Sequence, residues 1–238
     1  MVHEFLTSLP FMNGTRATLV MDAFWPMVKA GLMVSAPLAL VSFAIGMLIA
    51  VAVALIRIMP AGGVFHRLLL ALCKVYISAI RGTPLLIQLC VVFYGLPAMG
   101  IFIDPLPAGI IGFSLNVGAY GSETVRAAIL SVPKGQWEAG ASIGMGYLQT
   151  FRRIIAPQAF RVAVPPLSNS FISLVKDTSL ASTVTVTELF RVAQQYANSS
   201  YDFLPVYLEA GLVYWCFCFM LFVIQAQMER YNNRFVAK

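Results

Sequence analysis

Apolar residues run almost unbroken from Leu32 to Ile56 and again from Val206 to Ala226. Each run supplies the roughly 20 residues that cross a bilayer core about 30 Å thick. Three further stretches, Leu85 to Ile103, Ala108 to about Ile129 and Val162 to about Val186, are long enough but carry polar residues. Between Phe65 and Arg81 the polar positions Arg67, Lys74, Ser78 and Arg81 fall at +7, +11 and +14. At about 100° per residue they share one narrow helical face. That stretch predicts a helix lying at the membrane interface, apolar side down. Thr83 is then expected to cap, and Pro84 to open, the second span.

Basic residues set the predicted topology. Arg57, Arg67, Lys74 and Arg81 form one block. Arg126, Lys134, Arg152, Arg153 and Arg161 form a second, and Arg230, Arg234 and Lys238 a third. By the positive-inside rule all three belong in the cytoplasm. Two inside blocks are separated by an even number of crossings, and each intervening stretch has the length of two. The expectation is an all-α integral membrane protein of five transmembrane helices, N-terminus outside and C-terminus cytoplasmic. The outer connections would be Pro97 to Pro107, without Lys or Arg, and Glu188 to Pro205, with only Arg191. Residues 1–29 form an outer or interfacial segment, 30–230 a single membrane domain, and 231–238 a cytoplasmic tail.

Composition agrees with a membrane class. Of 238 residues 59% are hydrophobic and 11% charged, against about 25% charged in soluble domains. The net charge of +6 is explained by cytoplasmic loops and calls for no nucleic acid. Glu4 and the lack of a basic start before an apolar run argue against a cleaved signal peptide. Cys73, Cys90, Cys216 and Cys218 lie in or beside apolar segments. Cys216 and Cys218 point roughly opposite ways on a helix, so these thiols read as packing groups. Tyr94, Tyr214 and Trp215 read as belt or packing aromatics. His3 and His66 are far apart and read as solvated. No phosphate-binding loop, metal cluster or nucleophile elbow is present, so no enzyme activity, catalytic residue, metal or resident cofactor is expected.

One segment fits no span. From Glu138 to Pro157 the chain reads EAGASIGMGYLQTFRRIIAP, inside a connection of about thirty residues, 133–160. Long connections of that kind are usually functional. Ala139, Gly140 and Ala141 would keep a short helix thin enough to enter a groove on a soluble partner. Glu138 would place a charge near its start, Gly144 would break it, and Pro157 would sit in the first turn of the next helix. Lys176 and Asp177 interrupt the fourth span, either paired structurally or acting as gate or substrate contacts. Glu123 either pairs with Arg126, three residues on, or faces the path. Asn116, Asn169, Ser170 and Ser173 are either inter-helix glue or the lining of a hydrated path. Pro165 and Pro166 read as the opening of their helix.

The 138–157 segment resembles the coupling loop of ATP-binding-cassette importer permeases, with Glu138, Ala139, Gly144, Ile154 and Pro157 at matching spacing. Gly140 stands in place of an Ala and Ala156 in place of a Leu. RGTPLLIQL from Arg81, YGLP from Tyr94, KGQWEA from Lys134 and SNSFISLVKDTSLAST from Ser168 look like the polar amino acid branch. IDPLPAGIIGFSLN around Ile103 to Asn116 makes L-cystine permeases the most similar group. The resemblance implies a type I importer-like permease fold with a cytoplasmic coupling helix, in the bacterial inner membrane. It also implies an ATPase dimer that binds ATP and Mg, a periplasmic or lipid-anchored solute-binding protein, and a second permease subunit. Cystine is the best single substrate, with glutamine, glutamate, arginine or histidine as alternatives.

A proton-coupled secondary carrier using Glu123 or Asp177 is the rival from another class. It leaves the 138–157 segment without a role and normally shows internal duplication, which is not evident here. A regulatory membrane subunit without transport is a third reading, and it would need no polar residues in spans three and four.

Overall fold

A computed structural model describes residues 12–59 and 62–233, so the expectations for His3 and Glu4 lie outside the described residues. All regular elements among them are helical. Asn13 accepts from the Arg16 amide at 2.8 Å and starts α1, Gly14–Ala30, since a short polar side chain satisfies an otherwise orphaned helix donor. A π-turn, Gly31–Ser35, leads straight into α2, Ala36–Ile58. Next come α3, Val64–Arg81, and α4, Leu85–Cys90, which runs on through a π-turn, Val91–Gly95, and a 3-10 turn, Leu96–Met99. Helix α5 is Pro105–Leu130, α6 Lys134–Ser142 and α7 Tyr147–Thr150. A third π-turn, Phe151–Ile155, joins α7 to α8, Ala156–Asp177. A 3-10 turn, Thr178–Val184, then α9, Leu189–Ser200, and α10, Phe203–Asn233, complete the order.

The three π-turns have a common cause. Each is followed, two residues beyond its end, by a proline: Pro37, Pro97 and Pro157. Proline has no N–H to give and its ring collides with the carbonyl four residues back. Those carbonyls belong to Met33, Phe93 and Arg153, the central residues of the three turns. Widening the helix there removes the collision without ending the helix.

By length and hydropathy, Gly14–Ile58 and Phe203–Arg230 are suited to cross a membrane. Helix α3 and Leu85–Met99 together form a pair bent by 108°, apolar enough jointly to make one broken span or a re-entrant loop. Helix α3 carries three strips. Cys73 and Ile77 are buried, Arg67, Lys74, Ser78 and Arg81 are exposed, and Phe65, Leu68, Leu72 and Val75 form an exposed apolar strip.

Within the 133–160 connection the expected short helix is present as Lys134–Ser142, with a turn at Gly144 and a second helix opening at Tyr147. Several expectations need correction. Pro157 is not in the first turn, because the helix opens at Tyr147 and runs on through the π-turn. Pro165 and Pro166 likewise lie inside α8. Pro84 does open α4, its carbonyl accepting from the Gln88 amide at 3.2 Å. Thr83 does not cap it, since its hydroxyl donates back to Ala79 at 2.8 Å. His66 is half-buried, with its Nε2 enclosed.

The chain divides into two compact units. One comprises the chain up to Val41, Leu89–Ile111 and Ile172–Val223. Its core packs Ala23, Met27 and Ala30 of α1 against Leu189, Val192 and Ala193 of α9 and Val206, Ala210 and Val213 of α10. The other comprises Ser42–Gln88, Gly112–Phe171 and the chain from Ile224. There Ala128, Ile129 and Val132 pack on Ile155, Ala159 and Ala163, while Cys73 and Ile77 of α3 pack on Val53 of α2.

Candidate coupling segment and the polar clusters

Helix α6 follows Pro133 and ends in a tight reversal. The Met145 amide donates to the Gly140 carbonyl at 3.0 Å and the Gly144 amide to Ala141 at 2.9 Å. Gly144 has φ of 80°, a left-handed conformation that glycine adopts without a Cβ penalty. The paired bonds satisfy carbonyls that a helix end would leave open. Returning, the chain lays α7 against α6. A Cβ at Gly140 would stand 2.6 Å from the Thr150 side chain, so glycine permits this approach. Trp137 stacks on Tyr147 with centroids 5.0 Å apart and reaches Phe151 at 6.3 Å. Beneath them Ile155 is fully buried in the cluster with Ala128 and Val132.

The six coupling residues therefore separate. Glu138, Ala139, Gly144 and Pro157 are exposed, Ile154 is half-buried, and Gly140 is buried. The thinness expected of Gly140 serves packing within the chain rather than entry into a groove. Ala139 and Ala141 keep the outward face small. Beside them Ile143, Leu148, Gln149, Arg152 and Arg153 are exposed. The result is a rigid hairpin of helices with an apolar and basic outer surface.

Glu123 sits among arginines. It accepts from Arg57 at 2.5 Å and from Arg126 at 2.9 and 3.1 Å. Arg81 lies 3.8 Å away and also covers the Tyr120 ring at 5.4 Å. The pairing with Arg126 matches the sequence reading, whereas Arg57 and Arg81, 66 and 42 residues earlier in the chain, had no local signal. Asn116 donates to the Gln88 side chain at 3.2 Å, and the Gln88 amide group donates to Ile80 and Thr83 carbonyls at 2.7 and 3.0 Å. Gln88 thus ties the end of α3 to the start of α4. Asn169 accepts from Gln225 at 2.9 Å. Ser170 bonds back to Pro166 within its own helix at 2.9 Å, and Ser173 and Lys176 are exposed. Asp177 is half-buried where α8 gives way to the 3-10 turn.

A further cluster went unforeseen. The fully buried Glu188 carboxylate caps α9, accepting from the Phe190 amide at 2.9 Å and the Arg191 amide at 2.7 Å. It also takes the Tyr214 hydroxyl at 2.8 Å and the Ser35 hydroxyl at 3.3 Å. Burial raises its pKa above the ordinary carboxylate value, opposed by those donors. Tyr214, read as a belt or packing aromatic, is therefore a polar partner of the cap. Helix caps are usually Ser, Thr, Asp or Asn, so residue type did not mark Glu188 as a cap.

The chain is similar to several known proteins. Residues 46–232 match the family described as binding-protein-dependent transport system inner membrane component. The L-cystine transport system permease protein TcyB of Bacillus subtilis (strain 168) is 51% identical over 98% of this chain and 100% of its own length. The probable amino-acid ABC transporter permease protein YckA of the same organism is 43% identical, covering 68% of this chain and 72% of its own. Among solved structures, an amino acid ABC transporter crystallised with histidines is 29% identical over 89% of this chain and 96% of that one, with a TM-score of 0.81. The MetNI methionine ABC transporter, at 18% identity and a TM-score of 0.65, shares the fold. This chain belongs to the family of inner membrane components of binding-protein-dependent transport systems.

Proposed function

We propose that the chain is the multi-pass permease subunit of an ATP-driven importer that carries L-cystine across the bacterial inner membrane by alternating access. The observation that carries the reading is the hairpin of helices from Lys134 to Thr150. It is stiffened by the Trp137 stack and presents Ala139 and its small neighbours outward. A stiff element transmits a push from a soluble partner, which a flexible loop would absorb. An ATPase dimer would dock on this hairpin and bind ATP and Mg. Its closure would tilt the spans to open the path outward, a solute-binding protein would deliver the substrate, and hydrolysis would restore the inward-open state. A second permease subunit, a copy or a related chain, would complete the path. L-cystine is supported by the full-length likeness to the Bacillus cystine permease.

The topology proposed is five spans, N-terminus outside and C-terminus and hairpin cytoplasmic, which rests on the distribution of Lys and Arg. Cysteines at Ala98 and Ser199, in a background without the native four, should react with an impermeant reagent added outside. One at Gln149 should react only after the membrane is opened. External labelling at 149 would overturn the topology.

A proton-coupled carrier is less well supported, because Glu123 is held by arginines and is a poor lone proton relay. Uptake into proteoliposomes holding the permease, its ATPase and its binding protein decides between them. The proposal expects vanadate to stop cystine uptake and a protonophore to leave it. The opposite result would sink it.

A further inference from the structure

Helices α1 and α10 run parallel. Arg16 pairs with Asp202 at 2.5 Å near their starts, and a Cβ on Gly31 would collide with the Phe217 ring an equal distance along both. Beside their packed seam lies a groove of about 740 Å³. Val20, Phe24 and Val28 of α1 form one wall, and α10 from Pro205 to Met220 forms the other. At 1.5 Å per residue that wall is roughly 22 Å long.

One carboxyl faces this apolar space. Glu209 lines the groove yet is only 6% exposed, and its Oε2 has no hydrogen-bond partner among the described residues. Leaving a buried polar atom unsatisfied is costly, so the occupant of the groove should bring a donor. Lipid hydrocarbon alone has none. The shape narrows the choice. A slender chain fits a groove of this length and volume. Glu209 also stands about one turn from the Pro205 end, leaving roughly 16 Å of apolar wall beyond it. An amphiphile with a cationic head at one end and a hydrocarbon tail matches that layout.

We propose that the groove holds one acyl chain of an aminophospholipid, whose ammonium group donates to Glu209. The proposal requires only that the chain lies in a bilayer and is independent of the transported substrate and of the topology.

The test uses the purified transporter complex in nanodiscs of equal phosphatidylethanolamine and phosphatidylcholine, with retained lipids counted by native mass spectrometry. The wild type should keep phosphatidylethanolamine in excess, because the quaternary choline head has no N–H to donate. Glu209→Gln should lower that preference about tenfold, to near parity. Leu212→Trp, which fills the groove, should displace one lipid of either kind, whereas Leu48→Trp on an exposed part of α2 should displace none. Should Glu209→Gln fail to assemble, the wild-type preference and the Leu212→Trp loss still decide the matter. Equal retention by the wild type, an undiminished preference in Glu209→Gln, or no lipid lost in Leu212→Trp would overturn the proposal. So would a disulfide between two copies carrying Leu212→Cys, which would assign the groove to a permease contact.

Discussion

The hairpin from Lys134 to Thr150 and the buried cap at Glu188 are both built from a few side chains fixing a helix end, yet they are arranged in opposite ways. The cap turns every polar group inward. Four donors converge on one carboxylate and nothing is left over for a partner. The hairpin satisfies its backbone internally, through Gly140 and Gly144, and leaves its side-chain surface of Ala139, Ile143 and Leu148 unmatched. A closed set of bonds contributes stability. On the proposed function, the stiff hairpin with its unmatched face would be a docking surface. Substitutions should therefore separate the two regions, one affecting melting and the other affecting coupling.

The largest stability effect is expected at the cap. Glu188→Ala removes the acceptor of two amides and two hydroxyls and leaves buried donors unpaired, at roughly 3 kcal/mol or more. The melting temperature of the purified complex should fall sharply, while transport per folded complex changes little. A variant that melts normally but fails to couple ATP use to uptake would break the distinction. Glu123→Gln comes next. It leaves the guanidinium groups of Arg57 and Arg126 without a counter-charge in a partly exposed site, which should cost about 1 kcal/mol. Chemical denaturation of the detergent-solubilised complex would measure it, and an unchanged midpoint would show that the cluster carries no stability. Asn169→Leu, losing one bond to Gln225, should cost about 0.6 kcal/mol if the pair is inter-helix glue. A normal midpoint with impaired uptake would instead place Asn169 in the transport path.

The sequence disclosed these regions unequally, for physical reasons. The long apolar runs were legible because every residue contributes to the pattern. Leu32 to Ile56 and Val206 to Ala226 fall inside the two stretches long and apolar enough to cross a membrane, Gly14–Ile58 and Phe203–Arg230. The hairpin was legible because its motif is contiguous, although the π-turn that carries the helix past Pro157 was not. A proline reads locally as a boundary, and only the helical context shows that widening the previous turn accommodates it. Prolines 165 and 166 misled in the same way. The Glu188 cap gathers Ser35, Glu188 and Tyr214 from distant parts of the chain. Its carboxylate is of a type that rarely caps, so neither spacing nor propensity marked it. Glu123 was half legible. The partner three residues on was visible, and the arginines from α2 and α3 required the fold.

The central claim is that the hairpin passes the ATPase movement to the spans, and Ala139→Arg tests it most directly. Ala139 is exposed and its methyl has no hydrogen-bonding group, so the substitution should leave folding within about 0.5 kcal/mol. The measurement is uptake together with binding-protein-stimulated ATPase activity, in proteoliposomes holding the complete transporter. Uptake should fall at least tenfold and stimulation should be lost, with an unchanged melting temperature. Normal uptake and normal stimulation in the Arg variant would contradict the account.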